Sequence, residues 1–231
     1  MAGPVVRFRG ESRDVARSGS RRNDPRTDCL DRFRTVRAET ERRASPLSEE
    51  DQIIQSMPDA SPVKWHRAHT TWFFEQFLLI PHCPGYRAFD KDFAYLFNSY
   101  YVAAGPRHAR PQRGLITRPA NAAVAGYRAH VDEAVERLVE GASGDGLTEI
   151  LRVLEIGLNH EQQHQELILT DVLHALAQNP LAPAYDADWV APRRTGGADF
   201  ADVPPGLLPR SNPRLDCGIV ASCRSRAMME L

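Results

Sequence analysis

The order of hydrophobic and polar residues is helical from about residue 27 to residue 177. Apolar residues recur three or four positions apart, which places them on one face of each helix. In the third long segment such a face contains Val124, Tyr127, Val131, Val135 and Leu138. Proline, glycine and asparagine residues separate the segments. The pattern predicts four long helices, at residues 27–44, 62–79, 121–140 and 148–178.

Shorter elements and one long connection complete the predicted fold. Ser48 and Asp51 have the spacing of a capping box, which predicts a short helix from there to about Ser56. Residues 81–118 are rich in proline, glycine, tyrosine and arginine, and we expect an irregular connection with one short helix near Asp92–Tyr101. No segment has the alternation typical of a strand. Four long helices with one extended crossover loop indicate an all-α four-helix bundle.

Composition and charge exclude several classes of protein. The formal net charge of the chain is −1, so bulk nucleic-acid binding is not expected. Residues 1–43 taken alone carry +5. No run approaches the roughly 20 apolar residues of a membrane helix, and no secretory signal is visible. Four scattered cysteines favour reduced thiols and a cytoplasmic protein. We predict a disordered arginine-rich segment at 1–25, one helical domain at 26–185, and an irregular tail at 186–231.

The strongest chemical signal is H-E-Q-Q-H at residues 160–164. On a helix, His160 and His164 lie one turn apart on the same face, so both imidazoles can reach one metal ion. That face continues the apolar stripe of the fourth long helix. Two buried imidazoles without partners would be costly, which favours shared metal ligation over two separately hydrogen-bonded core histidines.

H-E-x-x-H is also the signature of zinc proteases. The extended protease motif needs glycine at position 167 and histidine at position 170, whereas this chain has Leu167 and Thr170. No glutamate occurs between residues 166 and 230 to replace the missing ligand. Glu161 and His164 also form half of a ferritin-like di-iron set, but no second E-x-x-H pair exists. Neither a protease nor a di-iron protein is favoured.

A third ligand is available in W-H-R-A-H-T-T-W-F at residues 65–73. His69 lies on the apolar face of this helix, whereas His66 lies only partly on it, so His69 is the predicted ligand. With His160 and His164 it would form a three-histidine site, which leaves positions open for water, O₂ or substrate. The remaining histidines lie in loops or on less regular faces and are predicted to be surface residues: His82, His108, His130 and His174.

Three segments together resemble a known family: SMPDASPVKWHRAHTTWFFEQFLL (56–79), FNSYY followed by GPRHARPQRGLITRP (97–119), and LNHEQQHQELILTD (158–171). They are similar to the N-terminal DinB-like domain of the ergothioneine-biosynthesis sulfoxide synthases (EgtB), over about Asp31 to Tyr185. The resemblance implies a four-helix bundle in which His69, His160 and His164 bind iron(II).

The resemblance also implies an activity. In these synthases, O₂-dependent chemistry joins the sulfur of cysteine or γ-glutamylcysteine to the imidazole carbon of hercynine (Nα-trimethylhistidine) as a sulfoxide. Substrate carboxylates need cationic partners, and Arg107, Arg110, Arg113 and Arg118 of the 105–119 loop are candidates. We single out Arg113 and Arg118.

The sequence departs from this family after residue 191. The synthases continue into a domain resembling formylglycine-generating enzyme, which supplies much of the substrate pocket and an acid tyrosine. Residues 192–231 do not resemble its opening, so we expect an intact metal scaffold in a chain cut short. Two alternatives remain: a one-domain DinB-like metal-dependent thiol S-transferase, and a non-catalytic metal-binding module.

Overall fold

All regular structure in the part of the chain that can be described, residues 24–101, 104–188 and 190 of a computed structural model, is helical. The α-helices are α1 (Pro25–Ala44), α2 (Val63–Phe74), α3 (Ile80–His82), α4 (Phe93–Leu96), α5 (Asn121–Gly141) and α6 (Gly144–Ala177). Among the described residues, 3₁₀-helices span Asp51–Ile53 and Arg110–Leu115. A π-helical turn, Glu75–Leu79, joins α2 to α3. The predicted disorder of residues 1–25 and the predicted tail at 186–231 fall almost wholly outside the described residues.

The predicted bundle is confirmed. α1 packs against α6, while α2 contacts both α5 and α6. Apolar side chains from these helices form the core, and the stripe predicted for α5 faces into it, with Leu138 only partly buried. The long crossover runs from α3 to α5 and carries α4 and the second 3₁₀-helix. An all-α four-helix bundle with a long crossover loop is therefore the fold of the described residues.

Several predicted boundaries are wrong. The capping box forms, because the backbone N–H of Asp51 donates to the Ser48 hydroxyl at 3.1 Å and the Ser48 N–H donates to the Asp51 carboxylate at 3.0 Å. The helix after it is nevertheless only the 3₁₀ turn Asp51–Ile53, and the one predicted near residues 92–101 spans only Phe93–Leu96. The 3₁₀-helix in the crossover was not predicted.

The last helix begins four residues before its predicted start. Gly144 begins α6 with φ of +60°, a conformation that glycine adopts without strain. The two glycines at 144 and 146 look like a turn in the sequence, yet only the first has a positive φ. The turn between α5 and α6 is accordingly tighter than expected.

Helix α2 lies at the centre of the molecule. All 12 of its residues are buried, including charged and hydroxyl side chains. Three long helices and the crossover surround it, so no face of α2 is left for solvent. Buried polar side chains need hydrogen-bond partners, and the partners of α2 define the site described below.

None of the described helices combines the length and the apolar character needed to cross a membrane. Cys29 is buried and Cys83 is half-buried, and both are free thiols, as predicted. The other two cysteines lie outside the described residues.

Candidate metal centre

Three aromatic rings of α2 are fixed by the crossover. Trp65, His69 and Trp72 are four and three residues apart, so a helix presents them on one face. Their ring nitrogens lie at hydrogen-bond distance from three carbonyl oxygens at the end of α4: Trp65 Nε1 to Leu96 (3.2 Å), Trp72 Nε1 to Ala94 (3.1 Å) and His69 Nδ1 to Phe97 (2.6 Å). These carbonyls have no intrahelical partner, because a helix leaves its last carbonyl groups unsatisfied.

His69 is also held by stacking. Its ring is nearly parallel to that of Trp65, with centroids 4.5 Å apart, and to that of Trp72, with centroids 5.4 Å apart. Because a carbonyl oxygen only accepts, Nδ1 of His69 must carry the proton. Nε2 then bears the lone pair, and the two indoles prevent the ring from turning away.

Helix α6 brings the other two predicted ligands to the same place. The ring centroids of His160 and His164 are 4.6 Å apart, and each lies within 4.9 Å of that of His69. One nitrogen of each histidine can be chosen so that all three lie within 4.8 Å of one another. All three side chains are buried. We call these residues the histidine cluster.

The histidine cluster fits a divalent metal ion. Nδ1 of His160 is buried and has no hydrogen-bond partner among the described residues. Such an orphaned donor or acceptor costs about 1–3 kcal/mol unless another group satisfies it. Three convergent imidazole nitrogens are a ligand set that zinc and iron both accept. The donor set therefore fits a metal, without selecting iron over zinc.

Burial keeps the histidine cluster neutral. It lowers the pKa of His160 to about 4, and it lowers the pKa values of His69 and His164 well below the usual value of histidine. The neighbouring imidazoles lower the latter two further. A metal ligand must be deprotonated, so this environment favours the form that binds.

Comparison with known proteins agrees with this geometry. Residues 32–168 match the DinB superfamily, a span that contains the histidine cluster and more than half of the chain. The chain belongs to the DinB superfamily. DinB domains typically bind metal ions. A search of curated proteins found no match.

The glutamate of H-E-Q-Q-H points away from the histidine cluster in this DinB domain. Glu161 is fully buried and forms ion pairs with Arg37 (2.9 Å) and Arg128 (3.0 Å), and it accepts a hydrogen bond from Thr40 (2.7 Å). Burial alone would raise the pKa of Glu161, but the two arginines lower it to about 2. Glu161 therefore links α1, α5 and α6 and is not placed as the general base of a protease.

His66, the alternative ligand, lies beside the histidine cluster. Its Nδ1 is 2.8 Å from Nδ1 of His164, and its Nε2 is 3.0 Å from Oδ2 of Asp171. Oδ2 of Asp171 also accepts a hydrogen bond from the backbone N–H of Ser61 at 2.8 Å. Both nitrogens of His66 are thus engaged by protein groups.

The two arginines singled out from the sequence occupy different environments. Arg113 is buried, with its guanidinium carbon 3.3 Å from the ring centroid of Trp65. It donates to the hydroxyls of Ser61 (2.9 Å) and Ser99 (3.2 Å), and its buried Nε has no partner among the described residues. Burial lowers the pKa of Arg113 to about 9. Arg118 is exposed and donates to the carbonyl of Thr117, its neighbour in sequence, at 2.9 Å.

The groups that hydrogen-bond to the ligands from behind were not predicted from the sequence. Asp171 follows His164 by seven residues, two helical turns, so the helix spacing that found the ligands also points to it. The Phe97 carbonyl is a backbone group in the crossover, and no sequence pattern identifies it. His108, His130 and His174 make hydrogen bonds with Gln112, Arg87 and Ser56 and lie outside the histidine cluster.

Proposed function

We propose that this DinB domain is the iron(II)-binding part of an O₂-dependent sulfoxide synthase of ergothioneine biosynthesis. It would join the sulfur of cysteine or γ-glutamylcysteine to hercynine. In the overall reaction the thiol loses its S–H hydrogen and hercynine its imidazole C–H hydrogen, and a C–S bond forms. One oxygen atom of O₂ stays on sulfur and the other leaves in water.

The histidine cluster is the observation that carries this proposal. Iron(II) held by His69, His160 and His164 would supply the redox chemistry of O₂, with positions open for a thiolate and O₂. The protein contributes three neutral imidazoles, one of which is locked between two indoles. It also excludes bulk water, because every residue of α2 is buried.

Arg113 supports binding of a substrate carboxylate near the histidine cluster. A buried guanidinium without an ionised partner is costly, and the partners of Arg113 among the described residues are two hydroxyls and an indole ring. A carboxylate would provide the bidentate partner that arginine prefers. Arg118, which is exposed, is the second proposed carboxylate ligand.

The experiment loads the protein with iron(II) without air and then adds O₂, hercynine and cysteine or γ-glutamylcysteine. Mass spectrometry should detect the sulfoxide only with iron, O₂ and both substrates together. The His69→Ala variant should give no product, whereas His174→Ala should match the unaltered protein. Iron-independent product, or equal product from His69→Ala, would contradict the proposal. Every arm of the experiment includes the domain resembling formylglycine-generating enzyme, taken from a synthase and added as a separate chain, because the resemblance implies that this domain completes the pocket.

A second candidate is a one-domain thiol S-transferase that uses zinc. The ligand set supports this candidate, because three neutral imidazoles suit zinc as well as iron. Thiol conjugation by the zinc-loaded protein without O₂ would support this reading. Tight metal binding with no product under either condition would support a non-catalytic metal-binding module.

A further inference from the structure

The three imidazoles of the histidine cluster differ in the groups that hydrogen-bond to them. Behind His69 lies the carbonyl oxygen of Phe97, and Nδ1 of His160 has no partner in the described part of the chain. Behind His164 lie a second imidazole and a carboxylate, which we call the Asp171–His66 pair. All of these histidines are buried, so water does not compete strongly for their nitrogens.

The direction of each hydrogen bond follows from the chemistry of the end groups. The Asp171 carboxylate accepts, so Nε2 of His66 must carry the proton that points to it. Because Nδ1 of His164 lies against Nδ1 of His66, only Nε2 of His164 is left to face a metal ion, and a nitrogen that binds a metal carries no proton. Nδ1 of His164 must then donate across the 2.8 Å contact between the two Nδ1 atoms. This leaves the lone pair of His164 on Nε2.

This arrangement also argues against His66 as a ligand itself. Its Nε2 is used by Asp171 and its Nδ1 by His164. Nδ1 of His66 can approach a metal only if its contact with His164 breaks. The tautomer of His164 would then no longer be fixed, so one ligand would lose its support when His66 became another. His66 is therefore placed as a hydrogen-bond partner of His164 and not as a metal ligand, although it is adjacent to the histidine cluster.

We propose that His66 and Asp171 are positioning residues that hold His164 as the Nδ1–H tautomer and aim its Nε2 at the metal. The carboxylate behind the second imidazole would also make His164 the strongest electron donor of the three ligands. The proposal rests on metal binding by the histidine cluster, one part of the proposed function. It does not depend on iron, O₂ or sulfoxide chemistry.

Two substitutions at one position separate hydrogen bonding from volume. His66→Leu fills the space but removes both hydrogen bonds. In His66→Gln the amide oxygen can accept from His164 while the amide nitrogen donates to Asp171, so the direction of both bonds is kept. His174→Leu is the matched control, since His174 is a histidine of α6 that bonds Ser56 at 2.8 Å outside the histidine cluster.

The measurement is the affinity for cobalt(II), by competition with a chromophoric chelator, together with the visible spectrum of the bound ion. His66→Leu should bind one ion with about 10–100-fold weaker affinity and an altered spectrum, as expected when a group behind a ligand is removed. His66→Gln should restore most of the affinity and the original spectrum. Asp171→Asn keeps an acceptor oxygen without charge and should give a smaller loss.

Unchanged affinity and spectrum in His66→Leu would overturn the proposal. So would complete loss of the ion in both His66→Leu and His66→Gln, because His66 would then be a ligand. Circular dichroism of the metal-free protein would reveal whether His66→Leu folds. If it does not, Asp171→Asn takes its place: a weaker affinity for cobalt(II) supports the proposal, and an unchanged affinity and spectrum overturn it. Equal losses in His174→Leu would also overturn the proposal.

A second measurement does not need metal. Long-range ¹H–¹⁵N correlation spectra of the metal-free protein distinguish histidine tautomers, and His164 should be the Nδ1–H form in the unaltered protein and a mixture in His66→Leu. The opposite tautomer in the unaltered protein would refute the proposal. If the unaltered protein binds no metal, the metal site of the proposed function fails, and the tautomers still decide whether the Asp171–His66 pair directs His164.

Discussion

Replacing Gly157 with alanine should push α2 and α6 apart directly beside the histidine cluster. A Cβ atom at position 157 would lie 2.3 Å from Cε1 of Phe74 and 2.9 Å from two further ring atoms. Ordinary contacts between carbon atoms are about 3.5–4.0 Å, so the Phe74 ring or the helix must move by more than about 1 Å. Phe74 has no free space, because it is fully buried and packs edge-on against Phe33 at 5.3 Å.

The size of the effect follows from two opposed contributions. Overpacking of a filled core costs about 1–3 kcal/mol, and a contact as short as 2.3 Å belongs at the upper end. Alanine in place of glycine inside a helix recovers about 1 kcal/mol. We expect a net loss of about 2 kcal/mol in the free energy of unfolding.

Urea denaturation followed by circular dichroism measures this loss. Gly146→Ala is the matched control in the same helix, since a Cβ there meets no atom within 4 Å, and it should be neutral or slightly stabilising. The double variant Gly157→Ala with Phe74→Leu should lose less than the sum of the single variants, by about 1 kcal/mol, because leucine vacates part of the contested space. A Gly157→Ala protein as stable as the Gly146→Ala protein would refute the reasoning.

The remaining predictions concern the side chains around the histidine cluster. His160→Ala and His164→Ala should each abolish stoichiometric iron binding while the helical circular dichroism spectrum is kept; unchanged iron content by metal analysis would show that the ligands are wrongly assigned. His66→Ala should weaken metal binding much less than His69→Ala, and the reverse ranking would make His66 the ligand. Glu161→Gln should lower the free energy of unfolding by about 2–3 kcal/mol, because it removes one of the two carboxylates that each buried arginine pairs with, while Asp132 (2.7 Å from Arg37) and Glu41 (2.6 Å from Arg128) remain; a loss below about 1 kcal/mol in urea denaturation would contradict the structural role of the Glu161 ion pairs.

Periodicity located α1, α5 and α6 because each of these helices buries one face, and it located α2 although every residue of that helix is buried. The apolar residues of α5 recur three or four positions apart, and they pack into the core as predicted. Shorter elements were misjudged because their ends depend on distant groups. The π-helical turn after α2 begins at Glu75, whose carboxylate accepts hydrogen bonds from Tyr86 (2.8 Å) and Tyr127 (2.7 Å) of other segments.

The three predicted ligands could be recognised because a helix places residues four apart on one face. His160 and His164 satisfy that rule within α6, and His69 satisfies it with the tryptophans of α2. What orients them could not be recognised in the same way. The acceptor for His69 is a backbone carbonyl of the crossover, and the partner of His164 is a side chain on a different helix.

The metal site therefore depends on the packing of α2 against both α6 and the crossover. α6 supplies two ligands at a fixed spacing, but their distance to His69 is set by contacts such as that between Gly157 and Phe74. The Glu161 ion pairs hold the other side of α6 against α1 and α5. It follows that Gly157→Ala should weaken metal binding as well as stability, although it removes no ligand, whereas Gly146→Ala should change neither. A variant with the lower stability but an unaltered metal affinity would show that the ligands adjust independently of the helix packing.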